Sequence, residues 1–250
     1  MPARQLSLRN DRKAGMKTAV SSAIITHNNP VLLIGGGPVG ANDVAMTSTF
    51  AEVVVAVDGG ADVALAHGVV LNAVIGDMDS VDPNVLAQLP PAICHRVIEQ
   101  QTTDFDKALR NVDAPLVIAL GFCGGRLDHQ LAVFHTLACH PDRPCVLIGD
   151  EDVVFLCPRA LDLDVANETR VSLFPMARVA GQSAGLRWPI GGLQFDPLTF
   201  IGTSNCATGP FTIKMDTPHM ICVMPRESAS AVIHALRALP ASQRWSARGE

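Results

Sequence analysis

The chain has 250 residues and a mass of 26.5 kDa, with 48% apolar residues, mean hydropathy +0.26 and formal net charge −5. That composition excludes a mainly disordered chain, and a fold of this size buries roughly 70% of its unfolded surface, enough for a core without disulfides. No apolar stretch approaches the roughly 20 residues of a spanning helix, and no basic block follows the first seventeen residues, so neither a membrane nor a nucleic acid is expected as partner.

The first residues carry Arg4, Arg9, Arg12, Lys13 and Lys17 ahead of Ala19-Val20. This faintly resembles a signal peptide, but Ser21-Ser22 breaks the apolar part and no cleavage pattern follows. Residues 1–26 are therefore read as an N-terminal extension outside the fold. From 27 to 152 strand and helix patterns alternate. Val31–Ile34, Glu52–Val57, Asn72–Ile75, Ile93–Ile98, Leu116–Leu120 and Cys145–Ile148 read as strands. Between them, Ala61–His67, a helix opened by Asp82-Pro83, a helix capped by Thr103 and Asp128–Cys139 read as helices. Near-continuous apolar strands with helical crossovers predict a parallel sheet covered on both faces. After Asp150 the pattern changes. Val153–Cys157, Thr169–Pro175, Gly185–Pro189, Gly191–Phe195, Gly209–Met215 and Met220–Met224 are short strand candidates without helices between them. They predict an all-β C-terminal sandwich over 153–226. Residues 227–250 read as a helix from Ser228 to Leu239 and a loose tail. The seven cysteines are odd in number and form no CxxC, so they read as reduced thiols of a cytoplasmic protein. His135 and Cys139 read as a helix packing pair, not a zinc site.

The chemistry concentrates where four polar segments each follow a predicted strand. They are Asp58-Gly59-Gly60, Gly76-Asp77-Met78-Asp79-Ser80, Glu99 through Asp104, and Gly121 through His129. A parallel sheet carries all its strand C-termini to one edge, where ligands bind. Asp77 and Asp79, two apart, suit a Mg²⁺ ion that grips phosphate oxygens. Asp58 and Asp104 reach the same edge, and four carboxylates together favour a dication. Lys107 reads either as a partner of Asp104 or as a phosphate contact. Asp106 reads as a surface pair with Arg110, worth little. Gly124, Gly125 and Arg126 precede a helix and suit an anion, whereas Asp128 and His129, taken alone, read first as a plain cap and a first-turn residue. Gly35-Gly36-Gly37-Pro38-Val39-Gly40 fits GxGxxG, and Asp58 ends the next strand at the distance of a ribose contact. A nicotinamide dehydrogenase is therefore an alternative, but hydride transfer leaves Asp77, Asp79, Asp104 and Arg126 without a role.

In this order the segments resemble the thiamine pyrophosphokinase (thiamine diphosphokinase) family. The matching runs are Asp58-Gly59-Gly60-Ala61, Gly76-Asp77-Met78-Asp79-Ser80, Glu99-Gln100 leading to Thr103-Asp104-Phe105-Asp106-Lys107-Ala108-Leu109, and Gly124-Gly125-Arg126-Leu127-Asp128-His129. Gly185-Leu186-Arg187-Trp188-Pro189-Ile190 and Ser204-Asn205 are similar to segments of the family's second half, with Trp188 read as sandwich core. The resemblance implies a Rossmann-like α/β domain joined to a β-sandwich, in a homodimer. It implies Mg²⁺-dependent transfer of diphosphate from ATP to thiamine, releasing AMP. Asp77, Asp79 and Asp104 would hold the metal. Asp58 and Arg126 would join them in catalysis. Gln100, Thr103, Lys107, Gly124, Gly125, Asp128 and His129 would bind nucleotide and phosphate, and Ser204 and Asn205 thiamine. A diphosphokinase acting on hydroxymethylpterin and a noncatalytic thiamine or nucleotide sensor are the alternatives.

Overall fold

The computed structural model describes residues 23–247. The basic residues of the predicted extension lie outside the described residues, but its last two, Ile25 and Thr26, pair with Val112 and Asp113 and so belong to the fold. The elements in chain order are β1 (Ile25–Thr26), β2 (Val31–Ile34), α1 (Ala41–Ser48), β3 (Val53–Val57), α2 (Gly60–Ala66), β4 (Ala73–Gly76), α3 (Pro83–Leu86) and β5 (Cys94–Arg96). Next come α4 (Asp104–Arg110), β6 (Val112–Asp113), β7 (Val117–Leu120), α5 (Leu127–Cys139) and β8 (Cys145–Ile148). The remainder comprises β9 (Asp152–Leu156), β10 (Ala160–Leu163), β11 (Asn167–Pro175), β12 (Val179–Leu186), β13 (Gln194–Phe195), β14 (Gly202–Met215), β15 (Met220–Pro225) and α6 (Ala229–Arg237).

Strands β5-β4-β3-β2-β7-β8 form a parallel sheet in that order. All four residues of β2, β4, β7 and β8 are buried, because helices cover both faces. Side chains alternate between the faces: Leu32 and Ile34 pack with Ala61 and Ala64 of α2 and with Val232 and Ile233 of α6. Val31 and Leu33 pack with Phe105 and Leu109 of α4 and with Val133 and Leu137 of α5. The strand order reverses between β2 and β7, which makes their C-terminal ends the switch point at which a crevice opens.

The chain turns antiparallel at β9, which pairs with β8 and β15. The ladder continues through β11, β14, β12 and β13, with β10 also on β14. The two halves therefore share one continuous hydrogen-bonded sheet, and the second is all-β. Strand β14 serves two neighbourhoods: its first part pairs with β11, and Thr212–Met215 pair with β12.

Several local expectations change. The strand expected over Gly185–Pro189 is only the end of a longer one: β12 runs from Val179 to Leu186, and the chain bends from Arg187. Trp188 is not core, being 56% exposed with the Arg187 guanidinium over its ring. Of the tail expected to be loose, the described part is docked through Arg244 and Trp245. Trp245 Nε1 donates to the Cys157 carbonyl (2.8 Å), Arg244 donates to the carbonyls of Leu239 and Pro115, and Arg159 stacks on the Trp245 ring. All seven cysteines are free thiols, with Cys145, Cys157 and Cys222 buried. Among the described residues no helix is long and apolar enough to cross a membrane.

Candidate functional site

A cleft of about 720 Å³ opens at the C-terminal edge of the parallel sheet. Five loops contribute to it: 35–40 after β2, 58–60 after β3, the turn after β4 through Ser80, the loop leading into α4 through Thr103, and 121–126 after β7. Gly36, Gly37, Pro38, Asp58, Gly59, Ser80, Thr103, Asp104, Gly124, Gly125, Arg126 and His129 are among its lining residues.

The loops approach one another so closely that side chains are excluded. A Cβ on Gly60 would sit 1.9 Å from the Ile34 carbonyl oxygen, and one on Gly35 2.7 Å from that of Gly121. Glycine is required here for packing, and at Gly121 also for its φ of +73°.

Asp58, Asp77 and Asp79 each offer a carboxylate oxygen within 4.8 Å of the others. Asp58 sits in the left-handed region (φ 49°) at the end of β3, as does Met78 (φ 66°) between the other two. Met78 is buried, and its turn projects both flanking carboxylates. Asp58 is itself only 5% exposed, and its Oδ1 has no hydrogen-bond partner. Burial pushes its carboxyl up from the usual range; the Ser80 hydroxyl opposes this, and the charges of Asp104, Asp77 and Asp79 add to it. A buried, unpartnered carboxylate oxygen beside two further carboxylates has the donor chemistry of a hard-cation site, so these residues fit Mg²⁺. The three clustered residues include Asp58 and not Asp104, which was expected as the third ligand.

Asp104 is joined to the cluster through Lys107. The Lys107 side chain is 3% exposed, and its Nζ donates to Asp104 Oδ1 (2.8 Å) and Asp77 Oδ2 (3.3 Å). Of the two readings of Lys107, the structure shows the pairing with Asp104, and adds Asp77 as a second partner. Burial pulls Lys107 down, but the bonds and charges of Asp104 and Asp77 outweigh it and hold the amine above its usual value. Partial burial raises Asp77, but the bonds from the Asp79 amide and from Lys107 prevail and hold it below the usual range. Helix α4 places both residues because Thr103 caps it, accepting from the Asp106 amide at 3.3 Å.

Asp106 is not a surface residue. Its side chain is 13% exposed and accepts from His140 Nε2 at 2.7 Å, with Arg110 Nε 3.6 Å away. Arg110 also pairs with Glu99. Burial raises Asp106, but the bond and charge of His140 lead the effects that hold it low. This network fastens the loop before α4 to the far end of α5.

On the opposite wall Arg126 and Asp128 pair at the start of α5, with Nε–Oδ1 at 3.1 Å and Nη2–Oδ2 at 2.6 Å. The Arg126 bond leads the effects that lower Asp128 to about 2. Both are exposed, as is His129, so the guanidinium is free to exchange partners. Gln100 lies exposed in its loop, outside the cleft lining.

Sequence reasoning set the Gly35–Gly40 loop aside, yet Gly36, Gly37 and Pro38 line the same cleft. The loop does open a helix, α1, in the manner of a dinucleotide motif. However, the Gly40 amide at the start of α1 donates to Asp43 Oδ2 at 2.7 Å. That amide is therefore already engaged within the first turn of α1.

In the antiparallel half, Asn205 is buried with both polar atoms of its side chain hydrogen-bonded. Oδ1 accepts from the Trp188 and Cys206 amides, and Nδ2 donates to the Trp188 carbonyl at 2.7 Å. It pins the bend that displays Trp188. Ser204 is exposed at φ 64°, and its amide donates to Ser172 Oγ. Neither lines the cleft. Elsewhere, Cys139 Sγ and His135 Nε2 lie 3.3 Å apart on α5; among the described residues the Asp58 cluster is the one group of three or more side chains with metal-ligand spacing.

The sequence model described as the catalytic domain of thiamin pyrophosphokinase matches residues 46–150. Thiamine pyrophosphokinase 3 of rice (Oryza sativa subsp. japonica) is 27% identical over 157 residues, which are 55% of this chain and 59% of that protein. The chain thus matches about three-fifths of the length of this relative. Among solved structures, thiamin pyrophosphokinase from Geobacillus thermodenitrificans superposes with a TM-score of 0.65 at 22% identity, covering 81% of this chain and 99% of that one. The yeast thiamin pyrophosphokinase structure gives 0.65 at 15% identity, covering 89% and 96%. These structures show a shared α/β-plus-β fold.

Proposed function

We propose that this chain, whose residues 46–150 bear out the resemblance to the thiamine pyrophosphokinase family, transfers diphosphate from ATP to the hydroxyl of thiamine. The observation that carries the proposal is the Asp58-Asp77-Asp79 cluster beside Lys107, whose Asp58 lines a nucleotide-sized cleft. Glycine-lined walls let backbone amides approach phosphate, and the acidic wall suits cationic thiamine.

In the proposed reaction the thiamine oxygen forms a bond to the β-phosphorus of ATP. The bond from that phosphorus to the α,β-bridging oxygen breaks, AMP leaves with that oxygen, and the hydroxyl proton passes to solvent. Diphosphoryl transfer depends on positioning and charge neutralisation more than on covalent chemistry. Asp58, Asp77 and Asp79 would hold Mg²⁺, with Asp104 beside them through Lys107. A bound Mg²⁺ supplies charge neutralisation on phosphate oxygens. Lys107 holds a buried positive charge beside the cleft. Arg126 exchanges Asp128 for phosphate, while Thr103, Gly124, Gly125 and His129 line the nucleotide's path and Gln100 borders it.

Ser204 and Asn205 act from the second half: Asn205 fixes the bend, and Ser204 meets thiamine at the surface. Trp188, Leu198, Phe200 and Ile201 are all exposed on that side of the chain, which supports a second copy covering this surface in a homodimer. The division into a domain over 27–152 and a β-sandwich over 153–226 is read from the reversal of strand direction at β9 and the change of partner along β14.

The test is incubation of the chain with ATP, Mg²⁺ and thiamine. AMP and thiamine diphosphate forming one to one, and stopping with EDTA, are expected. ADP with thiamine monophosphate would overturn the diphosphoryl reading. Turnover of hydroxymethylpterin but not thiamine would change the substrate, and binding without any turnover would favour a sensor.

A further inference from the structure

Arg226 follows the last strand and is far in sequence from every cleft loop, yet it contacts Asp43 in α1, just after the Gly35–Gly40 loop, and Gly149, on which the Gly121–Arg126 loop rests. Its Nη1 donates to the Gly149 carbonyl at 2.5 Å, and its Nη2 pairs with Asp43. Its backbone amide donates to the Glu151 carbonyl at 2.9 Å. The Asp43 side chain is 7% exposed and that of Arg226 27%, so the pair is largely shielded from water. Asp43 passes the restraint on, since its other oxygen holds the Gly40 amide at the end of the Gly35–Gly40 loop. Gly149 passes it the other way. A Cβ there would lie 2.9 Å from the Cβ of Cys123, so the Gly121–Arg126 loop rests directly on this backbone. The two loops also meet each other, the Gly37 amide donating to the Gly121 carbonyl at 2.9 Å.

Resting on the nucleotide-binding reading above, we propose that Arg226 is a positioning residue that fixes both glycine loops of the cleft through Asp43 and Gly149. Its planar fork allows the two contacts at once; a lysine ammonium at the end of a flexible stem does not hold both in one geometry. The chain after β15 thereby sets the shape of a pocket built wholly by the first half.

The test uses the full chain with Arg226→Gln, Asp43→Asn, the double variant and Arg226→Lys. Arg226→Gln is expected to raise KM for ATP about tenfold, with kcat and the thiamine KM changing less than about twofold. The double variant is expected to be no worse than the poorer single one, because both members act through one contact. Arg226→Lys should fall between wild type and Arg226→Gln, and it carries the test if the glutamine variant fails to fold. Hydrogen exchange gives a readout independent of turnover: the Gly40 amide should exchange about tenfold faster in Arg226→Gln while the β2 and β7 amides keep their rates. An unchanged ATP KM, equal rises in both KM values, or unaltered Gly40 exchange would overturn the proposal. If the wild-type chain does not turn over thiamine, the functional reading fails, and the exchange measurement alone decides the positioning role.

Discussion

Replacing Lys107 with Met removes a buried cation from between two carboxylates while nearly keeping its volume. Removing one partner of a buried ion pair costs ~3–5 kcal/mol. Here the side chains of Asp77 and Asp104 keep 18% and 37% exposure, so water takes over part of the lost interaction. The expected loss is about 2 kcal/mol, or about 4–8 °C in Tm for a chain of this size. The pH dependence follows from the direction of each shift. The Asp77 carboxyl is held below its usual range, so its stabilising share is present above the unfolded value of roughly 4 and is lost as pH falls through the lower folded value. Lys107 is held above its usual value, so its share is present below roughly 10 and is lost as pH rises through the folded value. The gap between wild type and Lys107→Met should therefore be widest from about pH 5 to 9 and should close toward pH 3. Urea unfolding in EDTA at pH 7 and pH 3 measures it. A loss below about 0.5 kcal/mol at pH 7, or the same loss at both pH values, would refute the assignment of Lys107 as the charge that offsets this site.

Asp58→Asn should raise Tm by about 2–4 °C at pH 7, because an acid whose folded value is raised costs stability once ionised. The same change should cut Mg²⁺-dependent turnover roughly 100-fold; calorimetry and steady-state kinetics on one preparation check both, and Asn tolerates the left-handed backbone. Asp106→Ala should cost about 1–2 kcal/mol in urea unfolding, since it strips His140 and Arg110 of a half-buried acceptor; a silent substitution would return Asp106 to the surface role first expected. Gly60→Ala should cost about 3 kcal/mol or more, because its methyl meets the Ile34 carbonyl, whereas Gly191→Ala, with nothing within 4 Å, should change stability by less than about 0.5 kcal/mol.

The parallel half was legible because its strands are buried on both faces and so read as unbroken apolar runs. Helix α1 was not, since Ala-Asn-Asp after Pro38 and Gly40 shows no apolar period. Strand β12, Val-Ala-Gly-Gln-Ser-Ala-Gly-Leu, escaped for a related reason: it is small and half-exposed, and its place is set by neighbours. Gly181 packs against the Lys214 carbonyl, and Gly185 takes φ +79° at a register shift. Trp188 looked like core because of its size, but the Asn205 bonds that turn it outward join residues 17 apart. The docking of Trp245 on Cys157 and the bond from His140 to Asp106 are likewise long-range contacts without a local pattern. The convergence of the site segments was legible because one topological rule carries every strand end to one edge. What the rule does not contain is the arrangement within that edge. The structure groups Asp58 with Asp77 and Asp79, gives Asp104 to Lys107, and admits the Gly35–Gly40 loop to the cleft.

In the proposed function the Asp58-Asp77-Asp79 cluster holds a divalent cation for a bound nucleotide. Its most direct test is a Mn²⁺ titration, followed by electron paramagnetic resonance, with a nonhydrolysable ATP analogue present. Wild type, Asp58→Asn and the exposed control Asp162→Asn would be compared. One tight site is expected in wild type and in Asp162→Asn, weakened at least about tenfold in Asp58→Asn. Equal affinity in all three chains would contradict it.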